Sequence, residues 1–283
     1  MPEVKPTVRQ RRLGLELRQL RRNRGWTLEE AAKRLEYSVA SLSKIENGRQ
    51  RISPRVLPFI FDAYGLEIPE QRAAIVQLTR EASRKNWWQA YKGVVSDPFD
   101  DYLSLESTAV GLNAYTPVVI PGLLQTEEYA RAVTEASRAW ENRDDIERFV
   151  QVRMARQEVL RGDHPLRLWV VLSESVLRQR VGGPAVMRAQ LEHLAATVHA
   201  MPHVIVQVLP FEAGAHAGMD GPFTLLRFDA GSDVVCIESM RASLYLEQSD
   251  EVELYAQTFD HLSAAALTAR QSLDLITELG KET

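Results

Sequence analysis

The sequence is short of cysteine, of long apolar runs and of the usual catalytic signatures. Its single cysteine, Cys236, excludes an intramolecular disulfide and any metal site built from several thiolates. No apolar stretch approaches the ~18–20 residues that a membrane helix requires. The opening MPEVKPTVRQRRLGLELRQL lacks the apolar core of a secretory signal. Both observations predict a cytoplasmic chain with no membrane partner. There is no Walker loop, no Gly-x-Gly-x-x-Gly after a strand and no His-Glu-x-x-His. The histidines are His164, His193, His199, His203, His216 and His261. His199 and His203 are four apart, but Pro202 breaks the helical face they would share. The reading is therefore of a protein that is not an enzyme and takes no metal and no cofactor.

What is present is an ordinary globular composition, 45% hydrophobic and 25% charged, which excludes disorder as the dominant state. The charge is unevenly spread. Residues 1–85 hold 18 lysines and arginines against 10 acidic residues, a net of +8. Residues 86–283 hold 16 against 28, a net of −12. A polyanion would attract the head and repel the body, which orients the molecule.

Helical periodicity dominates the head. Leu13, Leu17 and Leu20 predict a helix over about 9–23, stopped by Gly25. Thr27 and Glu30 form a capping box before a short helix over about 28–35. Ser38 caps a third helix with Val39, Leu42 and Ile45, ended by Asn47-Gly48. Pro54 opens a fourth, lined by Leu57, Ile60, Phe61 and Tyr64, and Ile68-Pro69 a fifth running to about 85. Arg9, Arg11 and Arg12 read as a frayed, solvated terminus in preference to a basic arm along DNA.

Two short helices so closely joined, inside a helical frame, are the helix-turn-helix plan. TLEEAAKRL (27–35) followed by SVASLSKIENG (38–48) resembles the Cro/CI-type, xenobiotic-response-element family of DNA-binding domains over residues 10–70. Glu36 stands where that family usually has Gly in the turn. With Leu42 and Ile45 inward, Val39, Ala40, Ser41 and Lys44 lie on or near the outer face. Lys44 can donate to guanine O6 or N7, and Val39 and Ala40 can touch thymine methyls. Plain helix filler is the other reading of Val39 and Ala40, and a solvated charge that of Lys44. The resemblance places Val39, Ala40 and Lys44 at bases and Asn47, Arg49, Arg51 and Arg55 at phosphates. Thr27, Leu28, Ser38 and Ser41 complete the expected DNA-binding set, Leu28 standing where relatives often carry Gln. The resemblance also implies that Arg21 pairs with Glu46 and so orients the recognition helix. Double-stranded DNA is the expected partner and a homodimer the expected state, since one such domain makes few base contacts.

Trp87, Trp88 and Tyr91 make residues 86–98 an aromatic joint rather than a flexible tether. Three parts follow: a helix-turn-helix domain over 1–85, the joint, and a regulatory, dimerisation or partner-binding domain over 99–283. The last reads as helices at about 99–112, 126–139, 143–161, 184–200, 249–266 and 270–280. Strands are expected at 113–120, 166–172, 204–209, 223–228 and 234–237. The fold class is α+β: an all-α five-helix head and a larger mixed body. Gly214, His216, Gly218 and Asp220 lie in a Gly-rich loop longer than a hairpin needs, read as a lid or partner-docking loop or as a long connection. A pocket among His216, Glu238 and Trp169 would indicate a ligand. Cys236 reads as a small buried apolar residue.

YTPVVIPGLLQTEEYARAV, VRMARQEVL, LSESVLRQRVGG and VLPFEAGAHAGMDGPFTLLRF occur in order over 93–280. They resemble the C-terminal domain of actinobacterial WhiJ-like helix-turn-helix regulators. That resemblance implies a nucleoid-associated, cytoplasmic regulator of development or antibiotic production, with a small BldB-like partner protein and no catalytic activity. The alternative is an antitoxin-like protein that sequesters such a partner and binds DNA to regulate itself.

Overall fold

In the computed structural model the described residues are 6–83, 87–91, 93–137, 142–229, 231–239 and 242–283. The chain divides into two compact units, Met1–Trp87 with Phe228–Ser232, and Trp88–Arg227 with Asp233–Thr283. Asn86 and Lys92 of the expected joint, and the 85/86 boundary itself, lie outside the described residues, as do 138 and 139 at the end of the helix expected over 126–139. Among the described residues no helix is long and apolar enough to cross a membrane.

The first unit holds α1 (Val8–Asn23), α2 (Leu28–Arg34), α3 (Val39–Glu46), α4 (Leu57–Tyr64) and α5 (Pro69–Ser83). Pro54 starts a short 3-10 turn, Pro54–Val56, rather than α4 itself. Side-chain hydroxyls satisfy the orphan amides at three starts: Thr7 accepts from Gln10 N, Thr27 from Glu30 N and Ser38 from Ser41 N. Leu13, Leu17, Leu42, Ile45, Leu57 and Ile60 meet in one buried cluster, each contributing roughly 1.5–3 kcal/mol by leaving water. The Arg9–Arg12 segment is neither frayed nor an arm. It forms the first turns of α1, where Arg9 and Arg12 are buried and Arg11 donates to Pro6 O.

Two backbone positions set the geometry of this bundle. A Cβ on Gly14 of α1 would lie 2.5 Å from Glu46 O, so only glycine lets α1 and the end of α3 approach so closely. Glu36 adopts φ 56°, alone in the left-handed region among the described non-glycine residues. Tyr37 N bonds back to Ala32 O, which makes 35–37 a helix stop of the kind that glycine usually provides.

The second unit is built on a six-stranded sheet of order β3-β2-β1-β4-β5-β6. The strands are β1 (Gly111–Thr116), β2 (Arg167–Ser173), β3 (Val204–Leu209), β4 (Phe223–Arg227), β5 (Val234–Glu238) and β6 (Ser243–Leu246). β1, β2 and β3 run parallel, and β4, β5 and β6 continue antiparallel from β1. The parallel half needs helical crossovers. These are α7 (Glu127–Ala136) with α8 (Arg143–Ala155), then α9 (Glu174–Arg178) with α10 (Pro184–Ala200). α6 (Asp97–Glu106) precedes the sheet, and α11 (Ser249–Ala265) and α12 (Ala269–Glu282) follow it. The architecture is α+β.

Strand parity divides the sheet into two faces. Tyr115, Val171, Phe223, Leu225 and Val235 pack against Phe259 and Leu262 of α11. The other face carries Ala114, Thr224 and Cys236 side by side across β1, β4 and β5. Several expected bounds shift. The helix expected over 99–112 stops at Glu106, where the Ser107 and Thr108 hydroxyls bond back to Ser104 O and Leu105 O. β1 begins at Gly111 and ends before Pro117, which has no amide to donate. The helix from 143 gives way to a 3-10 segment at Arg156–Leu160. α9 and β6 have no counterpart among the expected elements; both are too short to show a period.

Replacing Glu36 by Gly removes the left-handed strain, about 1–2 kcal/mol, against a cost of roughly 0.4–1 kcal/mol from the greater entropy of the unfolded chain. The variant should gain up to about 1.5 kcal/mol, read as a higher urea midpoint at unchanged m value.

Candidate nucleic-acid interface and an enclosed cavity

α3 presents the side chains expected to read DNA. Leu42 and Ile45 face the core, while Ala40 and Lys44 are exposed and Val39 keeps 40% of its surface. Ser41 is half-buried and its Oγ accepts from Ser38 Oγ at 2.9 Å, which leaves the Ser41 hydroxyl proton for an outside acceptor. Arg49, Arg51 and Arg55 are exposed along the segment that follows. Thr27 is exposed but its hydroxyl is engaged in the capping box. Leu28 is half-buried and packs on the helical core. Its side chain is thus turned toward the protein, which explains an apolar residue there. The Asn47 amide is also occupied: Nδ2 donates to Ser43 O at 2.7 Å, and Oδ1 accepts from Arg18 Nη2 at 2.7 Å.

A buried ion pair ties this helix to α1. Arg21 Nε donates to Glu46 Oε1 at 2.7 Å and Nη2 to Oε2 at 2.9 Å, a two-toothed match of fork to carboxylate. The Glu46 side chain is 2% exposed. Arg21 Nη1 also donates to Trp26 O at 2.8 Å. The bond to Glu46 raises the Arg21 pKa despite the opposing effect of burial, so the charge is held. Arg18 adds a second cation, with Nε 3.4 Å from Glu46 Oε2. Sequence reasoning missed Arg18 and Gly14. Their spacing from Arg21 and Leu17 on α1 was the available signal.

The second unit contains a cavity of ≈ 850 Å³ that opens to solvent at Val118 and Ser239. Its floor is the row Ala114, Thr224 and Cys236, whose small side chains leave the space empty. α6, α7, α8 and the turn at Gly122–Leu124 cover it. Arg156 donates from Nε to Glu106 Oε1 at 2.9 Å and from Nη2 to Oε2 at 2.5 Å, with both side chains buried. Burial pulls the Arg156 pKa down, but Glu106 and Tyr102 outweigh it and the net shift is upward. Arg153, one turn away, has no such partner: its Nη1 donates to Gln125 Oε1 at a long 3.3 Å and its buried Nε bonds to nothing. Burial, then repulsion from Arg156, lowers its pKa to about 10, so it stays charged near neutrality. Glu238 is open to solvent at the cavity wall yet crowded by protein atoms. Desolvation raises its pKa against the pull of Arg156 and Arg153. Burial and then Glu238 push the Cys236 thiol far up, so it is an inert, buried group.

Two family models match the chain. One, described as a helix-turn-helix domain, covers residues 12–75. The other, described as a domain of unknown function, DUF5753, covers residues 99–278, more than half of the chain.

The chain belongs to the DUF5753 family.

No curated protein and no solved structure matches it. This DUF5753 protein therefore joins a helix-turn-helix DNA-binding domain to a second, mixed α+β unit. In that unit His216, Glu238 and Trp169, which together would have indicated a ligand, do not share a pocket. Glu238 lines the cavity, but Trp169 packs edge-on to Phe259 on the opposite sheet face and bonds Gln207. His216 Nδ1 accepts from Gly218 N at 3.1 Å, and its ring meets the Tyr115 edge. A Cβ on Gly218 would come within 2.5 Å of the Tyr115 ring, so this glycine allows close packing of the loop. Gly214 and Asp220 are exposed on it. Among the described residues no group of three His, Cys, Asp or Glu side chains is placed to hold a metal ion.

Removing the Glu46 carboxylate strands the Arg21 guanidinium and typically costs about 3–5 kcal/mol for a buried pair. Glu46→Ala should lower urea stability by that order and weaken duplex binding with it. Denaturation and fluorescence anisotropy on the same sample check this; a full loss of DNA binding at unchanged stability contradicts it.

Proposed function

We propose that this protein is a sequence-specific transcriptional regulator of the Cro/CI type that binds DNA as a homodimer. The observation that carries the reading is the outer face of α3. Val39, Ala40 and Lys44 are exposed together, arginines follow at 49, 51 and 55, and the helix is pinned from behind by Arg21 and Glu46. A helix so presented fits the major groove with its early residues at base edges. The net charge of +8 over residues 1–85 supplies the long-range attraction to phosphate.

The second unit acts as the dimerisation and control module. No catalytic role is proposed for it. The resemblance of its sequence blocks to WhiJ-like regulators supports an actinobacterial regulator of development or antibiotic genes, cytoplasmic and nucleoid-associated, with a BldB-like protein as partner. Mapping genomic occupancy in the source organism, with and without that partner, tests the whole reading. An even, sequence-blind distribution would defeat it.

Two substitutions separate base reading from phosphate grip on a site selected from random duplexes. Lys44→Ala should cost ~1–3 kcal/mol on the selected site and lose discrimination at one base position. Binding to singly substituted duplexes measures it. Arg49→Ala should weaken all duplexes alike and reduce the slope of log affinity against log salt by roughly 1. A salt titration of both proteins reads that change.

A further inference from the structure

Among the cations around the cavity, Arg153 is the one with no hydrogen-bonded carboxylate; its guanidinium lies 5.1 Å from the Phe149 ring centroid, and Glu238 acts on it only at longer range. Arg156, three residues on, has a complete carboxylate partner in Glu106. Arg153 has one long hydrogen bond to a neutral amide and a buried Nε with none. Among the described residues no carboxylate comes within ion-pairing distance of it. Arg153 is half-buried, with its Nε sealed from water; a guanidinium so placed without a carboxylate is costly, and an outside counter-charge would relieve it. The backbone makes room for this one. A Cβ on Gly122 would lie 2.9 Å from Arg153 Nη1 and 3.2 Å from Arg156 Nη1, so both guanidinium ends lie close against this glycine.

The rest of the lining is mixed: Glu238 and Thr224 contribute polar groups, and aromatic and aliphatic side chains make up much of the remainder. Phe99, Leu112, Ala114 and Phe149 line it, and the Thr116 hydroxyl at its wall is a second buried polar atom without a partner. Val118, 60% exposed, and the exposed Ser239 lie at its rim. The volume, ≈ 850 Å³, falls within the ~300–1,000 Å³ range of small-molecule sites.

We propose that this cavity binds an apolar small molecule through an acid group seated on Arg153, with Arg156 contributing its free edge and Glu106 holding Arg156 in place. Arg153 is the specificity-determining residue, because a neutral analogue of the same shape leaves its charge uncompensated. The ligand site is thus remote in sequence from the DNA-reading helix, and binding at it is independent of whether the first unit reads DNA. The two readings can therefore fail separately.

The test uses the full chain and two fluorescent probes of like shape: 1-anilinonaphthalene-8-sulfonate, which carries an acid group, and the neutral N-phenyl-1-naphthylamine. The wild-type protein should bind one equivalent of the sulfonate at least tenfold more tightly than the neutral probe, the margin of one charge-assisted hydrogen bond. Arg153→Met should abolish that preference and leave neutral-probe binding within about twofold. Thr224→Trp, which fills the floor, should exclude both probes. Near-ultraviolet circular dichroism establishes that each variant is folded. If Arg153→Met does not fold, Arg153→Lys takes its place and should retain part of the preference. Equal affinity for the two probes in the wild type overturns the proposal. So does a sulfonate preference that survives Arg153→Met, or binding that survives Thr224→Trp.

Discussion

The helix-turn-helix unit depends on a single buried carboxylate. Glu46 sits at the last turn of α3, almost sealed from water, and two arginines of α1 converge on it. A carboxylate there is affordable only because Arg21 meets it with a matched fork. The pairing fixes both the distance and the rotation of α3, since a two-toothed bond tolerates little slippage. Gly14 completes the constraint by letting the α1 backbone approach Glu46 O. Core leucines alone would leave α3 free to roll. With the pair in place, the side of the helix bearing Val39, Ala40 and Lys44 faces outward.

The second unit uses the same device differently. Glu106 and Arg156 form an equally buried fork, but the neighbouring Arg153 is left without one. The sheet beneath is asymmetric for a simple reason of size. One face carries Tyr115, Phe223 and Leu225 and is filled by α11. The other carries Ala114, Thr224 and Cys236 in register, and the cavity lies over these small side chains. The cavity is thus a consequence of side-chain volume across three strands, and the guanidinium groups beside it come from α8 and the 3-10 segment that follows.

Legibility along the chain followed the range of the interactions. Caps at Thr27 and Ser38, the stop at Gly48 and the leucine periods of α1 are local, and the helices formed where those signals lie. The buried strands β2, β3, β4 and β5 stood out as short, largely apolar runs between turn residues. Short pieces did not. β6 has four residues and α9 five, too few to display a period. The residues 107–112 read as the end of a helix until pairing with β2 and β4 drew Gly111–Thr116 into the centre of the sheet. Along α8 and into the 3-10 segment that follows it, Phe149, Arg153 and Arg156 recur at the spacing of core residues. That stripe is a signal for a charged chamber, visible only once its apolar neighbours are known.

The sequence by itself determined the helical head, its caps and the outer face of α3, because each of these depends on residues within a turn or two of one another, and the partition of charge, which is a count along the chain. Tertiary structure alone decided that Leu28 turns to the core, that Arg9 and Arg12 are buried, that His216 and Trp169 stand apart from Glu238, and that an unpaired arginine overlooks an empty sheet face. These outcomes depend on which strands become neighbours and on the volume left between layers. Such quantities are summed over residues far apart in the chain, and no local pattern encodes them.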